Sequence, residues 1–309
     1  MLGTPLHFWL IFLFTIVVAL ALDLGVFHRK SHTIQLREAL LESLAWIVVS
    51  LLFNVWVYFS QGPQAGLEFL TGYLVEKSLS LDNIFIFLII FKSFRIPAKS
   101  QHKILFYGVV GALVMRALFV VAGVELLQYF HSVIYLFGAI LLITGLRMLF
   151  PGSKEKRPDQ NWLVRTVKRF LPFADNVERE SFFVKQGGKL AATPLLMALV
   201  AVEAMDIIFA IDSVPAVLAI TRNTFIVYSS NAFAILGLRA LYFALAGILP
   251  RFRFLHQGLA TLLFFIGGKM ILSDWIHITA PMSLAVIGTI LAITIAASLL
   301  IPEKKSHAA

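Results

Sequence analysis

Glu203, Asp206 and Asp212 lie inside the stretch from Pro194 to Thr221, PLLMALVAVEAMDIIFAIDSVPAVLAIT, which is otherwise apolar and carries no basic residue. A transmembrane helix takes about 20 apolar residues, and an acid near its centre costs roughly 2.5 to 3.5 kcal/mol on insertion scales. Three such costs in one span point to function, because intramembrane carboxylates face a bundle interior or a water-filled cavity and mark ion or proton paths. Carboxylate, hydroxyl and amide oxygens suit hard cations such as Mg²⁺, Ca²⁺ and Mn²⁺. All eight histidines fall at span ends or in loops, which disfavours haem between helices and a histidine-rich zinc or copper site. No permanently bound cofactor is expected.

The elements that must hold these acids are membrane helices. Hydrophobic residues make up 59% of the 309-residue chain and charged residues 14%, more apolar surface than a soluble core of this length can hide. The sequence has no cysteine, which removes disulfides, thiolate metal sites, iron-sulfur clusters and cysteine nucleophiles together. Nine spans are expected, at roughly 7–27, 38–60, 67–91, 104–127, 132–150, 193–220, 225–249, 257–274 and 281–301. The first is read as a retained helix, since MLGTPLHFW lacks the basic start of a signal peptide.

Lys and Arg gather in cytoplasmic loops. Of the loop residues of that type, 20 fall after odd-numbered spans and only Arg222 falls on the other side. The expected topology places the amino terminus outside and the carboxyl terminus in the cytoplasm of a cell (inner) membrane. The net charge of +9 is therefore assigned to the bilayer and its orientation, and no nucleic-acid partner is expected.

An internal repeat divides the chain. Glu76 precedes LDNIF (81–85) by the interval at which Asp206 precedes IDSVP (211–215), so Glu76 and Asp82 match Asp206 and Asp212. Arg116-Ala-Leu-Phe matches Arg239-Ala-Leu-Tyr, and Gly145-Leu-Arg-Met matches Gly267-Gly-Lys-Met. An odd number of crossings between mates gives two three-helix units of opposite orientation, the inverted repeat of many secondary transporters. The expected fold is all-α, a polytopic helical bundle. Two N-terminal helices occupy 1–66, the first unit 67–150, a basic cytoplasmic segment 151–192, the second unit 193–276, and a last helix with a cytoplasmic tail 277–309. Within 151–192, residues 161–170 read as an amphipathic surface helix and Gly187-Gly188 as the turn of a small hairpin.

On an unbroken helix Glu203 and Asp206 share a face, but Asp212 lies about 240° round from Asp206. Pro215 removes an amide donor and clashes with the Ile211 carbonyl, so local unwinding is expected near Asp212-Ser213, freeing backbone oxygens as ligands. Asn83 and Ser213 follow matching aspartates and are candidate additional ligands or relay groups, as is Glu76. Lys77, Arg116 and Arg239 are the expected counterions. Glu76, Asp82, Glu203, Asp206 and Asp212 against those three cations leave two negative charges, which suits one divalent cation or two protons. The competing structural reading makes the acids an ion-pair network with Arg116 and Arg239. Glu38, Glu42, Glu68, Asp23 and Asp274 read as interfacial polar residues, Arg147 and Lys269 as snorkelling groups, and the glycines of 108–111 and 267–268 as close-packing sites.

FLTGYLVEKSLSLDNIFIF, VEAMDIIFAIDSVPAV and SSNAFAILGLRALYF resemble the signature segments of the TerC family of integral membrane proteins, in particular its Alx-like manganese-exporter branch. The resemblance runs from about residue 5 to 300. It implies a multi-pass protein whose family members are linked to Mn²⁺ efflux and historically to tellurite resistance, with the metal-site positions falling on Asp82, Glu203, Asp206 and Asp212. The residues alone require a hard-cation site; the choice of manganese comes from the resemblance. The expected activity is Mn²⁺ efflux by alternating access at a midplane carboxylate site, in exchange for protons. The alternatives are a membrane-protein assembly factor with structural acids, and a passive divalent-cation channel.

Overall fold

The computed structural model describes residues 4–25, 36–130, 132–149, 181–186, 189–245, 254–276 and 278–300. The helices are α1 Leu6–Gly25, α2 Leu36–Gln61, α3 Pro63–Ser93, α4 Ala98–Tyr129 and α5 Val133–Leu149. After the strands β1 Phe183–Gln186 and β2 Lys189–Ala192 come α6 Pro194–Leu218, α7 Thr224–Leu236, α8 Leu238–Leu245, α9 Leu255–Ile271 and α10 Ala280–Leu300. With α7 and α8 taken together across Gly237, nine helical segments among the described residues overlap the nine expected spans. Five are long and apolar enough to cross a bilayer by length and composition: Leu36–Gln61, Ala98–Leu127, Pro194–Leu218, Thr224–Leu245 and Ala280–Leu300. The 31-residue α3 has the length, but Glu76, Lys77 and Asp82 interrupt its apolar run. Leu6, Phe14, Phe59, Leu118 and Leu300 stand exposed, the outward apolar surface of a protein solvated by lipid.

Only Gly62 separates α2 from α3, with φ of +97°, a left-handed conformation that glycine adopts without a Cβ clash, and Pro63 then starts α3. At its other end Ile96 N–H reaches the Phe91 carbonyl and Arg95 N–H reaches Lys92, with Arg95 at φ of 53°, a Schellman ending on a non-glycine residue. Asn223 caps α7 by accepting from the amides of Phe225 and Ile226.

The centre is built from α3, α4, α6 and α7. Helix α3 packs on α7 and α6, and α4 on α6 and α7, while α5 lies along α9, and α10 against α9 and α3. Helix α1 is held to α7 by aromatics: Phe12 touches Phe225, Tyr228 and Phe233, and Trp9 meets Phe225 edge-on at 5.3 Å. The hairpin forms as expected, antiparallel with Phe183 opposite Ala192 and Gln186 opposite Lys189; Phe182 just before it sets its ring edge-on to Tyr107 of α4. That contact is the bundle support so short a pair needs. The expected surface helix at 161–170 lies outside the described residues.

The contacts sort into two ends. At one, Lys103 sits 5.0 Å over the Phe182 ring, Tyr242 donates to Gln101, and the Phe254 amide donates to Ser298. At the other, Thr4 donates to Asn223 and Tyr135 to Asp274. Glycine makes the α5–α9 crossing close. A Cβ built on Gly267 would stand 2.8 Å from the Gly138 carbonyl oxygen, and one on Gly145 3.1 Å from the Ala260 carbonyl oxygen. Gly267→Leu is therefore expected to lower stability by about 1–3 kcal/mol through overpacking, read as a lower thermal midpoint in detergent, whereas Gly268→Leu, with nothing within 4 Å of its built Cβ, leaves that midpoint unchanged.

Candidate functional site in the helical core

Arg116 on α4 is 1% exposed, and its guanidinium is the hub of the core. Three other helices bring it partners. Nη1 donates to Glu76 Oε1 of α3, to Ser213 Oγ of α6 at 2.8 Å and to Asn231 Oδ1 of α7 at 3.3 Å; Nη2 faces Asp206 Oδ1 of α6 at 3.5 Å. Asn231 Nδ2 donates to Glu76 Oε2 at 3.0 Å, so the Glu76 carboxylate is held on both oxygens. Desolvating a charge costs several kcal/mol, and a buried guanidinium is tolerable only with this density of acceptors.

Beside the hub lies a cavity of about 160 Å³. Its polar lining is Glu76, Asn83, Arg116, Thr144, Asp212 and Ser213, and Thr144 Oγ1 of α5 donates to Asp212 Oδ1 at 2.9 Å. Its walls are Leu79, Met148, Ile208, Phe209, Leu259 and Leu263. Five neutral or acidic side chains thus offer oxygens to one space large enough for a partly hydrated ion. On the other side of α6, Asp206 and Arg239 border a void of about 10 Å³, room for a single water. Its remaining lining, Phe87, Leu105, Gly108, Val109, Ala112, Val202, Ile235 and Leu238, is apolar.

The carboxylates are split because α6 does not unwind. It is a continuous α-helix from Pro194 to Leu218 with Pro215 inside it, which corrects the expected break near Asp212-Ser213. Pro215 sits in the last turn, where the helix is about to end and loses little by one missing donor. Asp206 and Asp212 consequently keep their 240° separation and face different spaces. The discontinuity falls on the other repeat-bearing helix pair, at Gly237 between α7 and α8, where Ala234 O accepts from Lys77 Nζ at 3.3 Å. Lys77 thus turns to a backbone carbonyl, a correction to its expected role as counterion to the acids.

Glu203 lies on the Asp206 side, against α4. A Cβ built on Gly111 would overlap its carboxylate, so glycine there makes the room it occupies. Arg239 Nη2 stands 4.0 Å from Glu42 Oε2 of α2, both side chains 3% exposed. Glu42 is therefore a core acid and not an interfacial one. It faces inward because the break at Gly237 lets α2 come close, with Trp46 one turn further on packed against that glycine. The side chain of Asp82 lies outside the described ones. Among the described residues, no three His, Asp or Glu side chains gather closely enough to share a metal ion.

Asn231, Thr144 and Glu42 were not among the expected site residues. Asn231 was visible as a polar residue inside an apolar span that also carries Arg239; Thr144 had no such signal, since lone threonines are common in membrane helices.

The sequence profile of the integral membrane protein TerC family matches residues 61–306. The chain belongs to the TerC family. Its relatives include a membrane protein of Myxococcus xanthus, STKORF319, 46% identical over 306 residues that cover 99% of this chain and 95% of the relative. An Escherichia coli K12 protein whose name proposes a membrane-bound redox modulator, Alx, is 45% identical over 302 residues, 94% of each chain. A Rickettsia bellii membrane protein is 41% identical over 292 residues, 94% of this chain and 97% of the relative. No solved structure matches. As a TerC protein, this chain is a multi-pass integral membrane protein, and the relatives above are likewise described as membrane proteins or as membrane-bound.

Proposed function

We propose that this TerC protein moves a hard divalent cation, Mn²⁺ foremost, out of the cytoplasm by alternating access, in exchange for protons. The observation that carries the reading is the Asp212 cavity, lined by Glu76, Asn83, Thr144 and Ser213 next to a buried guanidinium. Structural polar glue needs its oxygens saturated, whereas Asp212 accepts one bond, from Thr144, and borders open space in a bundle interior. Asp212 is the central ligand, and Asn83, Ser213 and Glu76 complete the oxygen set; Asp82 is kept as a ligand candidate on its motif alone. Glu203, one turn earlier on α6 than Asp206, is an acid on the approach from the α6 start.

Two features support the rest of the reading. The Gly138–Gly267 and Gly145–Ala260 contacts exchange with one another when the halves are exchanged, as do the packings of α3 on α7 and α4 on α6; an inverted repeat has this property. The two sets of end contacts each join residues from one side of the expected topology, which supports the strict alternation of the spans; an outside amino terminus and a cytoplasmic carboxyl terminus are proposed on the 20-to-one partition of loop Lys and Arg.

Moving M²⁺ outward against an inside-negative potential costs about 2.3 kcal/mol per charge per 100 mV, roughly twice that for the ion, so an uncoupled path runs inward. Two protons entering per ion make the exchange electroneutral. The relative's redox name has no thiol counterpart in a chain without cysteine, and a redox effect would come through the ion moved. The test is Mn²⁺ flux in proteoliposomes with and without an imposed pH gradient. Saturable flux accelerated by the gradient is expected. Flux indifferent to the gradient would make it a channel, and no flux from folded protein an assembly factor.

A further inference from the structure

Arg116 touches the oxygens a cation would need. Its guanidinium lines the Asp212 cavity and holds Glu76 Oε1, Ser213 Oγ and Asn231 Oδ1, two of which belong to that cavity's lining. Behind it, Asp206 is 4% exposed, and its Oδ2 has no hydrogen-bond partner among the described residues; neither has Arg116 Nε. A buried carboxylate oxygen left unmatched beside a guanidinium whose Nε is also unmatched is costly in a fixed structure and natural in a switching one, since an arginine fork binds a carboxylate through two parallel bonds. Only one of those is approached here, at 3.5 Å.

We infer that Arg116 is a tethered occupant of the cation site and that Asp206 is the seat to which it withdraws when the ion arrives. The inference rests on the transport reading above. An ion entering beside Asp212 takes Glu76 and Ser213 from the guanidinium, and Arg116 moves onto Asp206 as a bidentate pair. When the ion leaves, Arg116 returns and neutralises Glu76. Asp206 then acts through Arg116 as a positioning residue and does not ligate the metal, which agrees with its place on the far side of α6 from Asp212. The tether also means that the site never stands as an empty cage of negative charge.

The test is a double-mutant cycle on Mn²⁺ affinity, by titration calorimetry of the full-length chain in detergent. Arg116→Gln removes the competitor and is expected to tighten Mn²⁺ by about tenfold, the penalty a site carries when it is open only a tenth of the time. Asp206→Asn removes the seat and weakens Mn²⁺ in the wild-type background, yet has no effect in the Arg116→Gln background. Should Arg116→Gln not fold, Asn231→Ala replaces it, loosening the arginine's hold without touching the cavity, again with tighter binding expected. Equal weakening by Asp206→Asn in both backgrounds would make Asp206 a ligand and overturn the inference, as would weaker binding in the Arg116 or Asn231 variant. A wild-type protein without saturable Mn²⁺ binding would instead remove the transport reading itself.

Discussion

Asp212→Asn abolishes gradient-driven Mn²⁺ flux, with an expected fall of about a hundredfold or more, since even the outer partners of metal ligands are worth roughly 10–100-fold in affinity. The substitution keeps the shape of the side chain and can still accept from Thr144, which isolates the charge as the quantity removed. The protein should stay folded, because Asp212 is only partly buried and makes no ion pair with the Arg116 hub. Thr144→Val is the companion: it removes the 2.9 Å bond that orients the carboxylate and leaves the carboxylate itself, so a loss of about tenfold is expected. Both are read in the proteoliposome assay against the amount of folded protein incorporated. Undiminished flux in Asp212→Asn would move the ion's path away from this cavity.

Arg116→Met has the largest expected effect on stability. It leaves Glu76 and Asp206 in the core without their shared cation, and losing one member of a buried pair costs about 3–5 kcal/mol. A thermal midpoint lower by roughly 10 °C is expected in detergent. Adding Glu76→Gln to Arg116→Met restores much of the loss, because a neutral amide can keep its contact with Asn231 while the stranded charge is gone. If the double variant were less stable than Arg116→Met alone, the carboxylate would be held by something other than this guanidinium.

The membrane character and the helix inventory were legible because they depend on local quantities. Runs of apolar residues of bilayer length, interrupted by basic loops, define spans without knowledge of their neighbours. The acids at 76, 206 and 212 and the arginine at 116 stood out for the same reason: each is costly in lipid wherever its helix packs. The hairpin around 187–188 was readable from its paired glycines and flanking residues.

The partnerships among those residues were not legible. Pro215 suggested a broken helix, but position within the turn decides what a proline costs, and near the end of α6 the backbone absorbs it. Glu42 lies near a span end, where an interfacial residue is expected, yet the Gly237 break draws α2 inward and buries it beside Arg239. Lys77, adjacent to Glu76, is about 100° round the helix from it and meets α7 instead. Thr144 acquires its role only because the glycine-lined crossing sets α5 where it can reach Asp212.

Composition and spacing were thus enough to specify a multi-pass helical membrane protein with acids and arginines buried at a cost that demands a use. The division of those acids was decided by packing alone. One carboxylate faces an oxygen-lined cavity, and another stands behind the guanidinium on the opposite side of an unbroken helix. Sequence spacing sets the angle between two side chains on one helix, but which space each angle opens onto depends on the helices that pack around it.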